Sequence, residues 1–62
     1  MKNFETKAEC EKYIVAEYGE CAFQVGVIFA YRVKPIEAKM FGLVEGSYMT
    51  SNEFDEATGY GR

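Results

Sequence analysis

The sequence contains few side chains that could do chemistry, and the missing types exclude most catalytic mechanisms. None of the 62 residues is histidine, so no imidazole can act as the general base for a serine or cysteine nucleophile. The two cysteines, Cys10 and Cys21, are too few to complete a typical tetrahedral zinc site. We therefore predict that the protein is not an enzyme and has neither a metal site nor a cofactor.

Both cysteines lie at positions that are typical of small core residues. Cys10 falls on the apolar side of a predicted helix, and Cys21 begins a predicted strand on its apolar side. A disulfide between them would close a loop of about a dozen residues and contribute roughly 2–3 kcal/mol. It would require an oxidising compartment, whereas residues 1–7 lack the apolar run of a signal peptide. We expect free thiols and a cytoplasmic location, with the disulfide as the alternative.

The aromatic residues indicate binding rather than catalysis. Five tyrosines and five phenylalanines exceed what a thin core requires, and tyrosine is common at interfaces because it supplies contact area at little entropic cost. We predict partner contacts in which aromatic rings are buried and cations set the register: Tyr31, Arg32, Lys34, Phe41, Tyr48 and Phe54. The expected function is a protein-binding module that modulates a partner stoichiometrically, as inhibitors and accessory proteins of phages or mobile elements do.

The alternative function is binding of single-stranded nucleic acid. Bases would stack on Tyr31 or Tyr48 beside the cations Arg32, Lys34 and Lys39. Residues 21–44 do carry three cations against one carboxylate, but both flanking segments are acidic and the net charge is −3. Nucleic-acid binders normally show a clear basic excess, so the charge pattern disfavours nucleic acid as the partner.

The sequence predicts one helix close to the N-terminus. Thr6 and Glu9 form a capping box, in which each side chain satisfies a backbone amide of the first turn. An apolar stripe at helical spacing follows, and Gly19 is suited to end the helix because it lacks a Cβ. We predict a helix over 7–18, with its stripe packed on the sheet through Cys10, Ile14 and Tyr18.

The longest pattern in the chain is an alternation of apolar residues that predicts a strand over 21–33. Every odd position is apolar, and period-two spacing is typical of a strand with one side on a core. The predicted inner side comprises Cys21, Phe23, Val25, Val27, Phe29, Tyr31 and Val33. Pro35 ends the strand, since proline cannot donate to a ladder.

The segment 36–45 has two interpretations. The favoured one is a returning strand with a bulge near Gly42, because the apolar phase slips by one residue there. The other is a short helix with Pro35 at its first position and Gly42 just beyond its end.

The remaining residues predict a short third strand and a polar C-terminal segment. A turn at 45–47 precedes the strand over 47–50, and residues 52–57 could form one helical turn capped by Ser51 before a frayed end. The predicted fold is therefore α+β: one N-terminal helix on a small antiparallel sheet, in α-β-β-β order. A single domain spans residues 1–62, with 52–62 as a possible tail.

The length of the predicted strand also suggests an oligomer. A 12-residue helix rises roughly 18 Å and cannot cover a 13-residue strand, so Val27 to Val33 would remain as an exposed apolar surface. Pairing with a second copy would cover it, and we expect a homodimer. The uncharged stretch from Cys21 to Tyr31 is too short to span a bilayer, so no membrane association is expected.

Overall fold

The computed structural model describes residues 2–59 and has mixed helix and sheet, which confirms the α+β class. The order of the elements differs from the prediction, because helices replace most of the expected strands. The elements are α1 Lys7–Tyr18, α2 Glu20–Gln24, β1 Ala30–Arg32, α3 Pro35–Phe41, β2 Tyr48–Thr50 and α4 Ser51–Thr58.

The first helix, α1, has the bounds that the capping box predicted. The Glu9 amide donates to the Thr6 hydroxyl oxygen at 3.2 Å, and the hydroxyl donates to the Glu9 carboxylate at 3.0 Å. The helix ends at Gly19, whose φ of 93° favours a residue without a Cβ. Cys10 and Ile14 are fully buried as expected, but Tyr18 remains partly exposed.

The predicted strand over 21–33 is wrong for most of its length. Residues 20–24 form α2 instead, and only Ala30–Arg32 are extended as β1. Glutamate, alanine and glutamine in this stretch are good helix formers, and Gln24 donates to the Glu20 carboxylate one turn earlier at 3.2 Å. Gly26 then has a φ of 78°, which a regular strand residue does not adopt.

The turn at 25–28 also overturns the predicted inner side of that strand. Val25, Val27 and Phe29 are exposed, Val27 to 69%. Ile28, from the side predicted to face water, is buried. The turn resets the side-chain alternation, and a shift of one residue exchanges the two sides of a strand.

In the described part of the chain the sheet has two antiparallel strands and lies between helices. Tyr31 of β1 is opposite Met49 of β2, and Arg32 is opposite Tyr48. Phe4 pairs with Tyr48 from the other side of β2, through N–O distances of 2.9 and 2.8 Å. Within residues 2–59, β2 therefore has a neighbour on both sides and β1 on only one.

Two small apolar clusters cover the two faces of this sheet. On one face Ala30 and Tyr48 pack against the cluster that α1 supplies, which consists of Cys10, Ile14 and Ile28. On the other face Tyr31, Ala38, Leu43 and Ala57 pack around Val33, Met49 and Phe54. The sheet is thus the middle layer of the molecule, with α1 on one side and α3 and α4 on the other.

The favoured interpretation of 36–45 as a returning strand is wrong, and the alternative is correct. Pro35 is the first residue of α3, and Gly42 ends the helix in the left-handed conformation with φ 68°. The Glu37 carboxylate accepts from the Lys34 amide at 3.0 Å, which caps the first turn. Proline has no amide to lose at this position and glycine tolerates positive φ, so both ends favour a helix.

The third predicted strand is confirmed as β2, and the C-terminal helix is longer than expected. The cap of α4 is Thr50, whose hydroxyl oxygen accepts from the Glu53 amide at 3.4 Å. Ser51, the predicted cap, accepts instead from the Phe29 amide at 3.1 Å. Residues 52–58 of the predicted tail are thus helical, whereas 60–62 lie outside the described residues.

Candidate functional site

Two of the predicted contact residues, Phe54 and Tyr31, pack within the fold. Phe54 is only 4% exposed and forms part of the core, so its ring is not available to a partner. Tyr31 packs against it with ring centroids 4.2 Å apart. Aromatic rings in contact add stability beyond that of their buried area. The surplus of aromatic residues is therefore smaller than composition alone suggests.

Tyr31 also connects β1 to α3. Its hydroxyl donates to the Glu37 carboxylate at 2.7 Å, and this bond, together with the bond from the Lys34 amide, lowers the pKa of Glu37 although partial desolvation opposes the shift. A carboxylate that accepts two hydrogen bonds is stabilised in its charged form. Glu37 therefore holds the start of α3 against the strand and is not free to contact a partner.

Tyr48 and Phe41 are half-buried, and Tyr48 does not share a surface with Tyr31. The Tyr48 ring packs on the cluster of Cys10 and Ile14, whereas the Tyr31 ring packs on the opposite face of the sheet. Two rings on opposite faces cannot stack successive bases of one strand.

Arg32 and Lys34 are the predicted contact residues that are exposed. Both line an open cavity of about 300 Å³, together with Val33, Pro35, Glu45 and Gly46. Cationic groups at the rim of a partly apolar cavity can orient a side chain that enters it.

The outward side of α3 presents a surface that was not predicted from the sequence. Ile36 and Met40 are one helical turn apart and are 66% and 64% exposed, and Lys39 is exposed beside them. We refer to these three residues as the α3 outer surface. The signal was present in the alternative interpretation of 36–45, since a helix there places Ile36 and Met40 on one side and Ala38 on another. The preference for a strand concealed it.

The chain offers no evident centre for catalysis or metal binding within the described residues. No group of three or more potential metal ligands occurs among residues 2–59. Both cysteines are free thiols, Cys10 buried and Cys21 exposed. Burial raises the pKa of Cys10 to about 11, so this group is a protonated thiol at neutral pH and a poor nucleophile.

Comparisons with known proteins add no functional information. No family model, curated protein or solved structure matches the chain. Among residues 2–59, no helix has the length and apolar character needed to cross a bilayer. Function therefore has to be inferred from the geometry of the chain itself.

Proposed function

We propose that this chain is a non-enzymatic protein-binding module that modulates its partner stoichiometrically and binds it through the α3 outer surface. The observation that supports this proposal is the exposure of Ile36 and Met40 on a helix whose inward side is already packed. Ala38 packs inward against the second apolar cluster, and Glu37 bonds to Tyr31 of the strand. Ile36 and Met40 take no part in that cluster and are left for a contact with a partner.

The energetics favour a covered state for this surface. A helix that is apolar on both sides is normally buried, and removing apolar area from water contributes about 25 cal/mol per Å². Methionine suits such a contact because its flexible side chain adapts to a partner's shape. A partner that covers Ile36 and Met40 would gain this free energy without any change in the fold.

The charges around α3 suggest the chemistry of the partner. Lys39 lies within the surface, while Lys34 precedes the helix and Arg32 lies at the end of β1. The nearby carboxylate of Glu37 is occupied by Tyr31 and the Lys34 amide. We infer a partner with an apolar centre and acidic residues at its rim, because complementary rim charges set orientation and association rate.

Single-stranded nucleic acid is the less supported alternative. Its stacking residues, Tyr31 and Tyr48, pack on opposite faces of the sheet, and Tyr31 is already bonded to Glu37. The net charge of −3 would also repel a polyanion. We therefore do not propose this function.

Affinity capture with matched variants tests the proposal. The tagged protein is incubated with lysate of the organism that encodes it, with and without nuclease, and bound proteins are quantified by mass spectrometry. The test variant is Ile36→Ser/Met40→Ser. The control is Val25→Ser, which removes an exposed apolar side chain beside α2 instead. We expect a specific partner that survives nuclease, is lost with the double variant and is retained with the control.

Two results would contradict the proposal. Loss of every specific partner after nuclease would indicate nucleic-acid binding. Equal recovery with wild type and the double variant would show that another surface makes the contact. The purified partner then allows a titration, in which saturation at one equivalent of this chain is expected.

A further inference from the structure

The outer edge of β1 has backbone groups without a partner among the described residues. The Ser51 amide donates to the Phe29 carbonyl and the Val33 amide to the Ser47 carbonyl, both at 2.9 Å. Because backbone groups alternate in direction along an antiparallel strand, the N–H and C=O of Ala30 and Arg32 point away from β2. We refer to these four groups as the β1 outer edge.

We propose that a second copy of this chain pairs with the β1 outer edge, in antiparallel orientation about a twofold axis at Tyr31. Ala30 of each copy then lies opposite Arg32 of the other, and the four N–H groups of the two edges donate to the four facing C=O groups. The two sheets join into one of four strands, in the order β2-β1-β1-β2. This contact does not involve Ile36, Lys39 or Met40 and does not depend on the proposed function, although Arg32, one of the cations placed at the rim of the partner contact, belongs to this edge.

The proposed register also avoids a direct repulsion between like charges. Arg32 is the only charged residue of β1, and like charges directly opposite each other destabilise a sheet. Centring the axis on Tyr31 places each Arg32 opposite the small Ala30 of the other copy. A pairing centred on Arg32 would place the two cations opposite each other, so this alternative register is disfavoured.

The same register covers an apolar side chain that the single chain leaves half-exposed. Antiparallel pairing about Tyr31 brings Phe29 of one copy beside Val33 of the other. Phe29 is 50% exposed. Val33 and Pro35 line the cavity of about 300 Å³, which has room for one aromatic ring. The apolar loop before β1 and the cavity after it thus become neighbours in the dimer.

The size of the core gives a reason for such a contact. Among the residues that the structure describes, six apolar side chains are buried, divided between two clusters, and the sheet consists of two three-residue strands. Two-stranded sheets are marginal without further strands or packed helices, and domains of this size commonly gain stability from oligomerisation. The paired edge is short, so we expect dissociation in the micromolar range rather than a permanent dimer.

Proline at position 32 provides a specific test in solution. Arg32→Pro removes an outward amide and adds a ring that obstructs the second strand, but it leaves the ladder to β2 intact, because proline is tolerated on a free edge. Arg32→Thr is the control, since it removes the same side chain and keeps the amide. We expect sedimentation velocity to show a dimer that Arg32→Pro weakens at least about tenfold, whereas Arg32→Thr changes its dissociation constant less than about threefold.

Two measurements on the wild type keep the proposal testable if Arg32→Pro does not fold. Amide exchange at Ala30 and Arg32 should slow as protein concentration rises, while exchange at Tyr31 should depend little on it. A mixture of labelled and unlabelled chains should show an intermolecular contact between the α-protons of the two Tyr31 residues. A monomer at millimolar concentration would overturn the proposal, as would a dimer whose Ala30 and Arg32 amides exchange independently of concentration.

Discussion

The helices α1 and α3 lie on opposite faces of the sheet, and their outward sides differ in character. Both pack inward, α1 through Cys10 and Ile14 and α3 through Ala38. The outward side of α1 is exposed and charged, as Lys7 and Lys12 illustrate, whereas that of α3 presents mainly apolar side chains. Folding requires only one apolar side of each helix. The second apolar side of α3 is therefore the basis on which we propose a contact with a partner.

The two helices also differ in the interactions that specify them: local ones for α1 and tertiary contacts for α3. All the signals for α1 are local, from the cap at Thr6 to the glycine at its end. The seven residues of α3 are too few to form a stable helix alone, and the contact between Tyr31 and Glu37 attaches its first turn to the strand. Substitutions in α1 should therefore test the packing of the core. Substitutions in α3 and in its contact with β1 should test how the helix is attached to the sheet and what its outer surface does.

The largest expected effect is a charge on the inward side of α1. Ile14 is fully buried, so Ile14→Asp should destabilise the fold by at least about 4 kcal/mol, enough to unfold a domain of this size. The control, Val27→Asp, should change stability by less than about 0.5 kcal/mol, since that side chain is mostly exposed. Circular dichroism during thermal unfolding distinguishes the two, and a cooperative transition for Ile14→Asp near the wild-type temperature would contradict the described core.

A smaller effect is expected at the start of α1. Thr6→Ala removes the hydroxyl that accepts from the Glu9 amide, and loss of such a cap costs about 1 kcal/mol. Thr6→Ser retains the hydroxyl and serves as the control. Urea unfolding of the three proteins measures the difference, and equal midpoints would show that the cap contributes nothing.

The attachment of α3 should depend on pH. Because the pKa of Glu37 is lowered in the folded state, its bond with Tyr31 stabilises the fold at neutral pH, and this contribution is lost as the pH falls through the lowered pKa. Tyr31→Phe removes the hydroxyl and keeps the ring on Phe54. It should lower the melting temperature modestly at pH 7, and the difference from wild type should shrink below pH ~4. A constant difference across this range would exclude the Glu37 carboxylate as its origin.

The smallest effect on stability is expected for the α3 outer surface. Ile36→Ser/Met40→Ser should change the free energy of unfolding by less than about 0.5 kcal/mol per site, because both side chains are already largely in water. Binding of a dye that detects exposed apolar surface should nevertheless decrease. A large loss of stability would instead place these residues in the fold and remove the basis for proposing this interface.

Local signals in the sequence were sufficient for α1, for β2 and for the α+β class. The bounds of α1 follow from the capping box at Thr6 and the glycine at 19, and both depend only on neighbouring residues. The error over 21–33 has a physical cause. Apolar alternation carries no information about burial when a turn interrupts it, and Gly26, inside the pattern, was the one local indication of that turn.

The candidate sites depended on the tertiary structure. Composition indicated surplus aromatic residues and cations that could contact a partner, and that role stays a prediction although Arg32 and Lys34 are exposed. Only packing could show that Phe54 is in the core and that Tyr31 is bonded to Glu37. Which apolar side chains remain in water depends on which long-range contacts form, because each helix and strand can bury only the side that meets a neighbour.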